Sequence, residues 1–101
     1  MYEMKNLGKL KIIEGSTAEG WKGFVAFDKA AMEAGAIPAK YKELMAVAVG
    51  LTTQCPYCIE IHANRAREAG ASNQELSEVV LVAAALRAGG AITHGTHALK
   101  E

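Results

Sequence analysis

The chain has 101 residues, with 11 basic and 11 acidic side chains, and half of its residues are hydrophobic. This length allows one domain, which is only marginally stable alone at this size. The formal net charge of zero provides no electrostatic surface for nucleic acid or for an anionic membrane, so we predict neither as a partner.

The N-terminal residues 1–15, MYEMKNLGKLKIIEG, contain no apolar run long enough for a signal peptide. We predict that no apolar segment reaches membrane-spanning length, and we therefore expect a cytoplasmic protein. Thiols are kept reduced in that compartment, where cysteine pairs are usually catalytic, redox-sensing or metal-binding. This makes a structural crosslink the weakest interpretation of the two cysteines.

Helix signals follow one another along the chain, and no period-2 stretch is long enough for a sheet. Residues 1–15 show no clear period and predict a loose N-terminal arm. Ser16 with Glu19 fits a capping box and predicts a first helix that passes through Trp21 and ends at Gly35.

Two prolines mark the starts of the next two helices. Pro38 fits a first helical position and predicts a second helix over residues 39 to about 51. After a turn at residues 52–54, Pro56 has the same role for a third helix, which stops at Gly70. The short turn predicts that these two helices pack antiparallel.

Ser72 with Glu75 forms a second capping-box pattern and predicts a fourth helix that ends at Gly89-Gly90. A short last helix is expected over residues 91–99, interrupted by Gly95.

The segment Val79–Leu86, VVLVAAAL, has no polar residue. A helix that is apolar on all sides needs cover on all sides, which one small domain does not supply. We therefore predict an all-α single domain of about five to six helices that forms a homo-oligomer, with residues 1–15 as an arm and residues 16–101 as the core domain.

Both cysteines lie in the stretch QCPYCIEIH, residues 54–62. If Pro56 is the first helical residue, Cys55 is the N-cap and Cys58 the third helical residue, and both sulfurs lie at the positive end of the helix dipole. That environment favours the nucleophilic thiolate. Helix residues three apart have Cβ atoms about 5–6 Å from each other, close to the roughly 4 Å of a disulfide, so the pair is able to open and close.

His62 lies one turn after Cys58 on the same helix face and is suited to accept a thiol proton near neutral pH. Counted outward from Thr53, Glu43 and His62 lie at nearly the same depth in the predicted hairpin, at about 1.5 Å per residue. One interpretation of Glu43 is an acidic residue stabilised by the helix dipole. The other, which we favour, is a carboxylate that orients His62 in a nucleophile–base–orienter set.

Metal binding is an alternative for the same residues. Cys55, Cys58 and His62 would supply three zinc ligands, but no fourth is evident nearby. His94 and His97 follow at a spacing far from that of common zinc fingers and fit an exposed C-terminal helix. We predict neither a metal nor a cofactor.

The stretch KELMAVAVGLTTQCPYCIEIHANRAREAGASNQELSEVV, residues 42–80, resembles the core of the carboxymuconolactone decarboxylase family, specifically its AhpD-like alkylhydroperoxidase branch. The shared pattern is Glu, eleven residues, Cys-x-x-Cys, three residues, His. It is met by Glu43, Cys55, Cys58 and His62. The resemblance covers most of residues 16–99 and implies an all-helical fold that assembles into trimers or hexamers.

The resemblance also implies a thiol peroxidase that needs no cofactor. Cys58 would be oxidised by a hydroperoxide and Cys55 would resolve it to a disulfide, with Glu43 and His62 in a proton relay. A lipoyl-type or thioredoxin-like dithiol would then restore the pair. One departure from the AhpD pattern is Tyr57, which stands where those proteins can have histidine.

Two other functions stay open at this point. The same disulfide would serve a non-catalytic redox sensor or disulfide exchange protein. A lactone reaction like that of the decarboxylase branch is the other alternative, although that branch works without a Cys-x-x-Cys pair.

Overall fold

The computed structural model describes residues 2–101, so Met1, the first residue of the predicted arm, lies outside it. The α-helices are α1 (Leu10–Ser16), α2 (Ala18–Met32), α3 (Ala39–Thr53), α4 (Pro56–Glu68) and α5 (Asn73–His94), with 3₁₀ segments at Met4–Lys9 and Gly95–Ala98. No strand occurs among the described residues. The predicted all-α fold with about five to six helices is confirmed.

The centre of the fold is the hairpin of α3 and α4, with α5 packed along α3. Gln54 ends α3 in the left-handed conformation, with φ of 57°, and the chain turns directly into the N-cap of α4. The core is small, and its buried apolar side chains are Leu44, Val47, Ala66 and Ala83. Leu44 and Val47 lie three residues apart on α3, so helical spacing places them on the same buried face.

The N-terminal segment is helical rather than a loose arm. It forms the 3₁₀ segment and α1, and neither buries a side chain. A helix without a buried face leaves no apolar period in the sequence, which explains the missed prediction.

The predicted capping box at Ser16 is wrong, because Ser16 is the last residue of α1 and its hydroxyl donates to the Ile13 carbonyl at 2.8 Å. Thr17 is the N-cap of α2, and this helix ends at Met32 rather than at Gly35. An N-cap residue has a non-helical backbone, so Ser16, as a helical residue of α1, does not occupy that position.

Helix α3 extends through Thr52 and Thr53, which were predicted as turn. Both hydroxyls donate to the Val49 carbonyl, at 2.9 Å and 3.0 Å. Threonines that bond to carbonyls of the preceding turn are accommodated inside a helix, so the turn shrinks to Gln54 and Cys55.

Helix α5 continues through Gly89-Gly90 to His94, so the predicted break at these glycines is wrong. A helical glycine costs only about 1 kcal/mol relative to alanine, and neighbouring turns offset such a cost. The Thr93 hydroxyl donates to the Gly89 carbonyl at 2.9 Å. The predicted last helix is therefore the end of α5 followed by a 3₁₀ turn.

The helical run Asn73–Ala98 is long and apolar enough by composition to cross a membrane, with a mean hydropathy of 1.5 over 18 residues. The sequence prediction that no segment reaches this length is therefore wrong, because it divided the run at Gly89. Length and composition alone are weak evidence for a membrane span. In this fold α5 packs on α3, where Arg87 donates to the Thr52 carbonyl and Lys40 pairs with Glu75 at 3.0 Å.

Candidate active site

The N-terminus of α4 carries both cysteines, as the Pro56 signal predicts. Cys55 is the N-cap, and its Sγ accepts the backbone N–H of Cys58 at 3.2 Å. A disulfide joins Cys55 to Cys58, with 5.3 Å between their Cα atoms. This separation lies within the range that a disulfide requires, so the helix start accommodates the closed ring. Both cysteines are half-buried.

His62 is held by Glu43 across the α3–α4 hairpin. The Nδ1 atom of His62 lies 2.6 Å from Oε2 of Glu43, and their side chains are only 17% and 13% exposed. The contact predicted from their equal depth is present. An ionised carboxylate only accepts hydrogen bonds, so Nδ1 carries the proton of this bond and the neutral ring keeps its acceptor lone pair on Nε2.

A cleft of about 360 Å³ lies between α2, α3 and α4. Cys58 and His62 both line it, whereas Cys55 is not part of its lining. The α2 and α3 walls are largely apolar, and they include Ala31, Met32, Met45, Ala46 and Val49. One cysteine and one oriented histidine thus face the same small, mostly apolar space, which is typical of a pocket for a small substrate.

Gly50 is a buried residue of α3 that was not among the predicted site residues. A Cβ atom at this position would lie 3.3 Å from Cβ of Cys58 and 3.4 Å from Cγ1 of Ile59. The missing side chain lets α3 approach α4 closely beside the disulfide. The sequence signal for this close approach is a glycine inside an apolar helix, because such a glycine often marks a position where another element packs closely.

Tyr57 does not line the cleft, although it stands between the cysteines in the chain. Its hydroxyl accepts from Nδ2 of Asn6 at 3.1 Å, and its ring meets that of Tyr2 edge-on, with centroids 5.2 Å apart. The Tyr2 hydroxyl donates to Glu60 at 2.5 Å, and this hydrogen bond raises the pKa of Tyr2. The N-terminal segment therefore covers a face of α4 away from the cleft.

His94 and His97 lie near the C-terminus, with ring centroids 5.0 Å apart, and neither lines the cleft. Within residues 2–101, no group of three or more His, Cys, Asp or Glu side chains is arranged to hold a metal ion.

The sequence profile of the carboxymuconolactone decarboxylase family matches residues 19–101. An uncharacterized protein of the cox locus of Paracoccus denitrificans is 46% identical over 76 residues, which make up 75% of this chain and 68% of that protein. An uncharacterized protein of Cupriavidus necator is 37% identical over 54 residues, covering 54% of this chain and 48% of that protein.

Solved structures show the same fold. A protein of Methanobacterium thermoautotrophicum superposes with a TM-score of 0.81 at 31% identity, covering 87% of this chain and 99% of that one. The apo form of a carboxymuconolactone decarboxylase family protein from Legionella pneumophila superposes with a TM-score of 0.76 at 28% identity, covering 91% and 82%.

Proposed function

The chain belongs to the carboxymuconolactone decarboxylase family, and from that premise we propose that it is a thiol-dependent hydroperoxide reductase of the AhpD-like type. The observation that carries this proposal is that Cys58 and His62 line one cleft while Glu43 holds the imidazole. The Cys-x-x-Cys pair favours peroxide reduction, because a dithiol peroxidase uses both cysteines whereas the decarboxylase branch works without such a pair.

In the first step, Nε2 of His62 takes the proton from the Cys58 thiol. The thiolate attacks the nearer oxygen of the hydroperoxide, the O–O bond breaks, and the alcohol leaves with the proton from His62. Cys58 becomes a sulfenic acid. The carboxylate of Glu43, 2.6 Å from the ring, stabilises the imidazolium that forms between the two proton transfers.

In the second step, the sulfur of Cys55 attacks the sulfur of the sulfenic acid and the S–O bond breaks. The hydroxide takes up the proton of the Cys55 thiol and leaves as water, and the disulfide closes. Sγ of Cys55 accepts the backbone N–H of Cys58 at 3.2 Å, and a hydrogen bond of this kind favours negative charge on the sulfur as it attacks. A dithiol donor, lipoyl-type or thioredoxin-like, then reduces the disulfide by two exchange reactions and is itself oxidised to a disulfide. In this proposal the protein works as a cytoplasmic homo-oligomer, either a trimer or a hexamer.

The test follows oxidation of the fully reduced protein by one equivalent of an alkyl hydroperoxide, with thiol labelling and intact mass. We expect the wild type to lose two hydrogens and two labelled thiols faster than a free cysteine reacts. Cys55→Ser should gain one oxygen at Cys58, because the sulfenic acid lacks a resolving partner. Cys58→Ser should leave Cys55 unmodified on the same timescale.

Other outcomes favour the other functions. Disulfide formation without turnover, when dihydrolipoamide or reduced thioredoxin is supplied, would favour a redox sensor. Thiols that react no faster than free cysteine would remove the peroxidase proposal. An activity on a lactone substrate that survives replacement of both cysteines by serine would place the chain with the decarboxylases.

A further inference from the structure

One wall of the cleft is held to the rest of the fold by few contacts. Helix α2 contributes Asp28, Ala31 and Met32 to the lining. Yet no side chain of α2 is buried. A helix without buried apolar side chains gains little from packing, so the position of this wall depends on other contacts.

Lys42 provides such a contact from α3. Its Nζ donates to the carbonyl of Ala31 at 2.9 Å and to that of Glu33 at 2.5 Å. The last carbonyls of a helix have no partner within it, and a cation is favourable there because of the helix dipole. Among residues 2–101, Lys42 makes the only side-chain hydrogen bonds that join α2 to α3, α4 or α5.

The same side chain lines the cleft that contains Cys58 and His62. Its methylene stem crosses from α3 to the end of α2, and its ammonium group is occupied by the carbonyls. Lys42 therefore bridges the helix that carries Glu43 and the wall formed by α2.

We propose that Lys42 is a positioning residue that holds the α2 wall against the cleft, and that it thereby determines how well a bulky apolar hydroperoxide fits beside Cys58. This inference rests on the proposed peroxidase function and adds a residue to it. Hydrogen peroxide is small enough to need only Cys58 and His62. A bulky organic peroxide also needs the apolar wall, since contacts away from the reacting atoms orient the substrate.

The test compares Lys42→Met with Lys29→Met. Methionine keeps an unbranched apolar stem but removes both hydrogen bonds to α2. Lys29→Met removes an equal charge from the last turn of α2, where Lys29 makes no side-chain hydrogen bond or ion pair within the described residues. Each reduced variant is oxidised with cumene hydroperoxide and, separately, with hydrogen peroxide.

We expect Lys42→Met to react about tenfold more slowly with cumene hydroperoxide, as a misplaced binding wall slows an oriented reaction. Its rate with hydrogen peroxide should stay within about twofold of wild type, since that reaction does not use the wall. Lys42→Arg should keep much of the wild-type rate with cumene hydroperoxide, because a guanidinium is also able to donate to two carbonyls.

Hydrogen exchange provides a readout that does not depend on peroxide chemistry. Lys42→Met should lose amide protection in residues 18–33 and keep it in residues 56–68, while Lys29→Met should keep both. Unchanged protection of α2, or an equal loss of rate with both peroxides, would overturn the proposal. If the wild type reacts with neither peroxide, the peroxidase function fails, and exchange in α2 alone decides whether Lys42 holds this helix.

Discussion

At the residue scale, two neighbours on α3 serve two sides of the cleft. Successive helix residues project about 100° apart, at 3.6 residues per turn. The Lys42 side chain reaches the carbonyl end of α2, while Glu43 reaches His62 on α4. These two neighbouring residues thus connect α3 to the α2 wall of the cleft and to the imidazole of His62. A substitution at either residue tests its contact separately.

The Glu43 carboxylate is expected to matter for rate more than for folding. Glu43→Gln keeps an oxygen that accepts from Nδ1 of His62 but loses the charge that stabilises the imidazolium. We expect peroxide-driven oxidation of Cys58 to slow by roughly tenfold to hundredfold. Quenched thiol labelling measures the rate, and circular dichroism verifies the helical content.

Glu60→Gln is the matched control, because Glu60 contacts Tyr2 on a different face of α4. It should leave the oxidation rate unchanged. A Glu43→Gln protein that reacts as fast as wild type would remove Glu43 from the mechanism.

At the element scale, the start of α5 combines a capping box with an ion pair. Ser72 Oγ accepts from the Glu75 N–H at 3.0 Å, and Glu75 Oε1 accepts from the Ser72 N–H at 3.0 Å. The other Glu75 oxygen pairs with Lys40 of α3 at 3.0 Å. The Ser72 N–H and, next, the Lys40 ammonium lower the pKa of Glu75. The Glu75 carboxylate thus caps the start of α5 and also links this helix to α3 through Lys40.

This lowered pKa predicts an acid-sensitive contribution to stability. The carboxyl has a pKa near 4.5 in the unfolded chain and a lower pKa in the folded protein, so its charged form favours folding. The contribution is fully present above pH 4.5 and is lost as the pH falls through the folded pKa. Urea unfolding from pH 7 to pH 3 should show a stability gap between wild type and Glu75→Gln that narrows in acid.

Glu78→Gln removes an equal charge one turn later and serves as the control for that series. Glu78 does not contact Ser72 or Lys40. The difference in unfolding free energy between Glu78→Gln and wild type should therefore be smaller at pH 7 than that of Glu75→Gln. A Glu75→Gln gap that is the same at every pH would contradict the assignment.

At the scale of the whole molecule, the isolated chain is more extended than a folded domain of its length. Its radius of gyration is 16.9 Å, compared with about 13 Å for a compact domain of 100 residues. Leu81 and Leu86 of the apolar α5 segment are each 68% exposed. A further groove of about 360 Å³ with a mostly apolar lining runs between α3 and α5. These exposed surfaces support the proposal that the chain forms a homo-oligomer.

The oligomer should persist at low protein concentration in sedimentation experiments. Burying one leucine side chain contributes about 1.5–3 kcal/mol, and α5 exposes several large apolar side chains. Leu81→Glu should therefore shift the assembly toward smaller species, whereas Glu68→Lys at the exposed end of α4 should not. A wild-type monomer at micromolar concentration would contradict the proposal.

Much of the site was predictable because its signals are local. Pro56 places Cys55 at the N-cap, and the spacing of Cys58 and His62 places them one turn apart on α4. The contact of His62 with Glu43 followed from counting outward along a short hairpin. Each of these inferences needs only regular helix geometry and one tight turn.

The sequence by itself determined the all-helical class, the starts of α4 and α5 and the position of the cysteine pair, because capping and helical spacing act within about one turn. Only the tertiary structure decided that α5 passes through Gly89-Gly90 and that α2 forms a wall of the cleft. It also decided that Lys42 holds the end of α2. These features depend on contacts between elements, and a glycine or a lysine has no local pattern that specifies its distant partner.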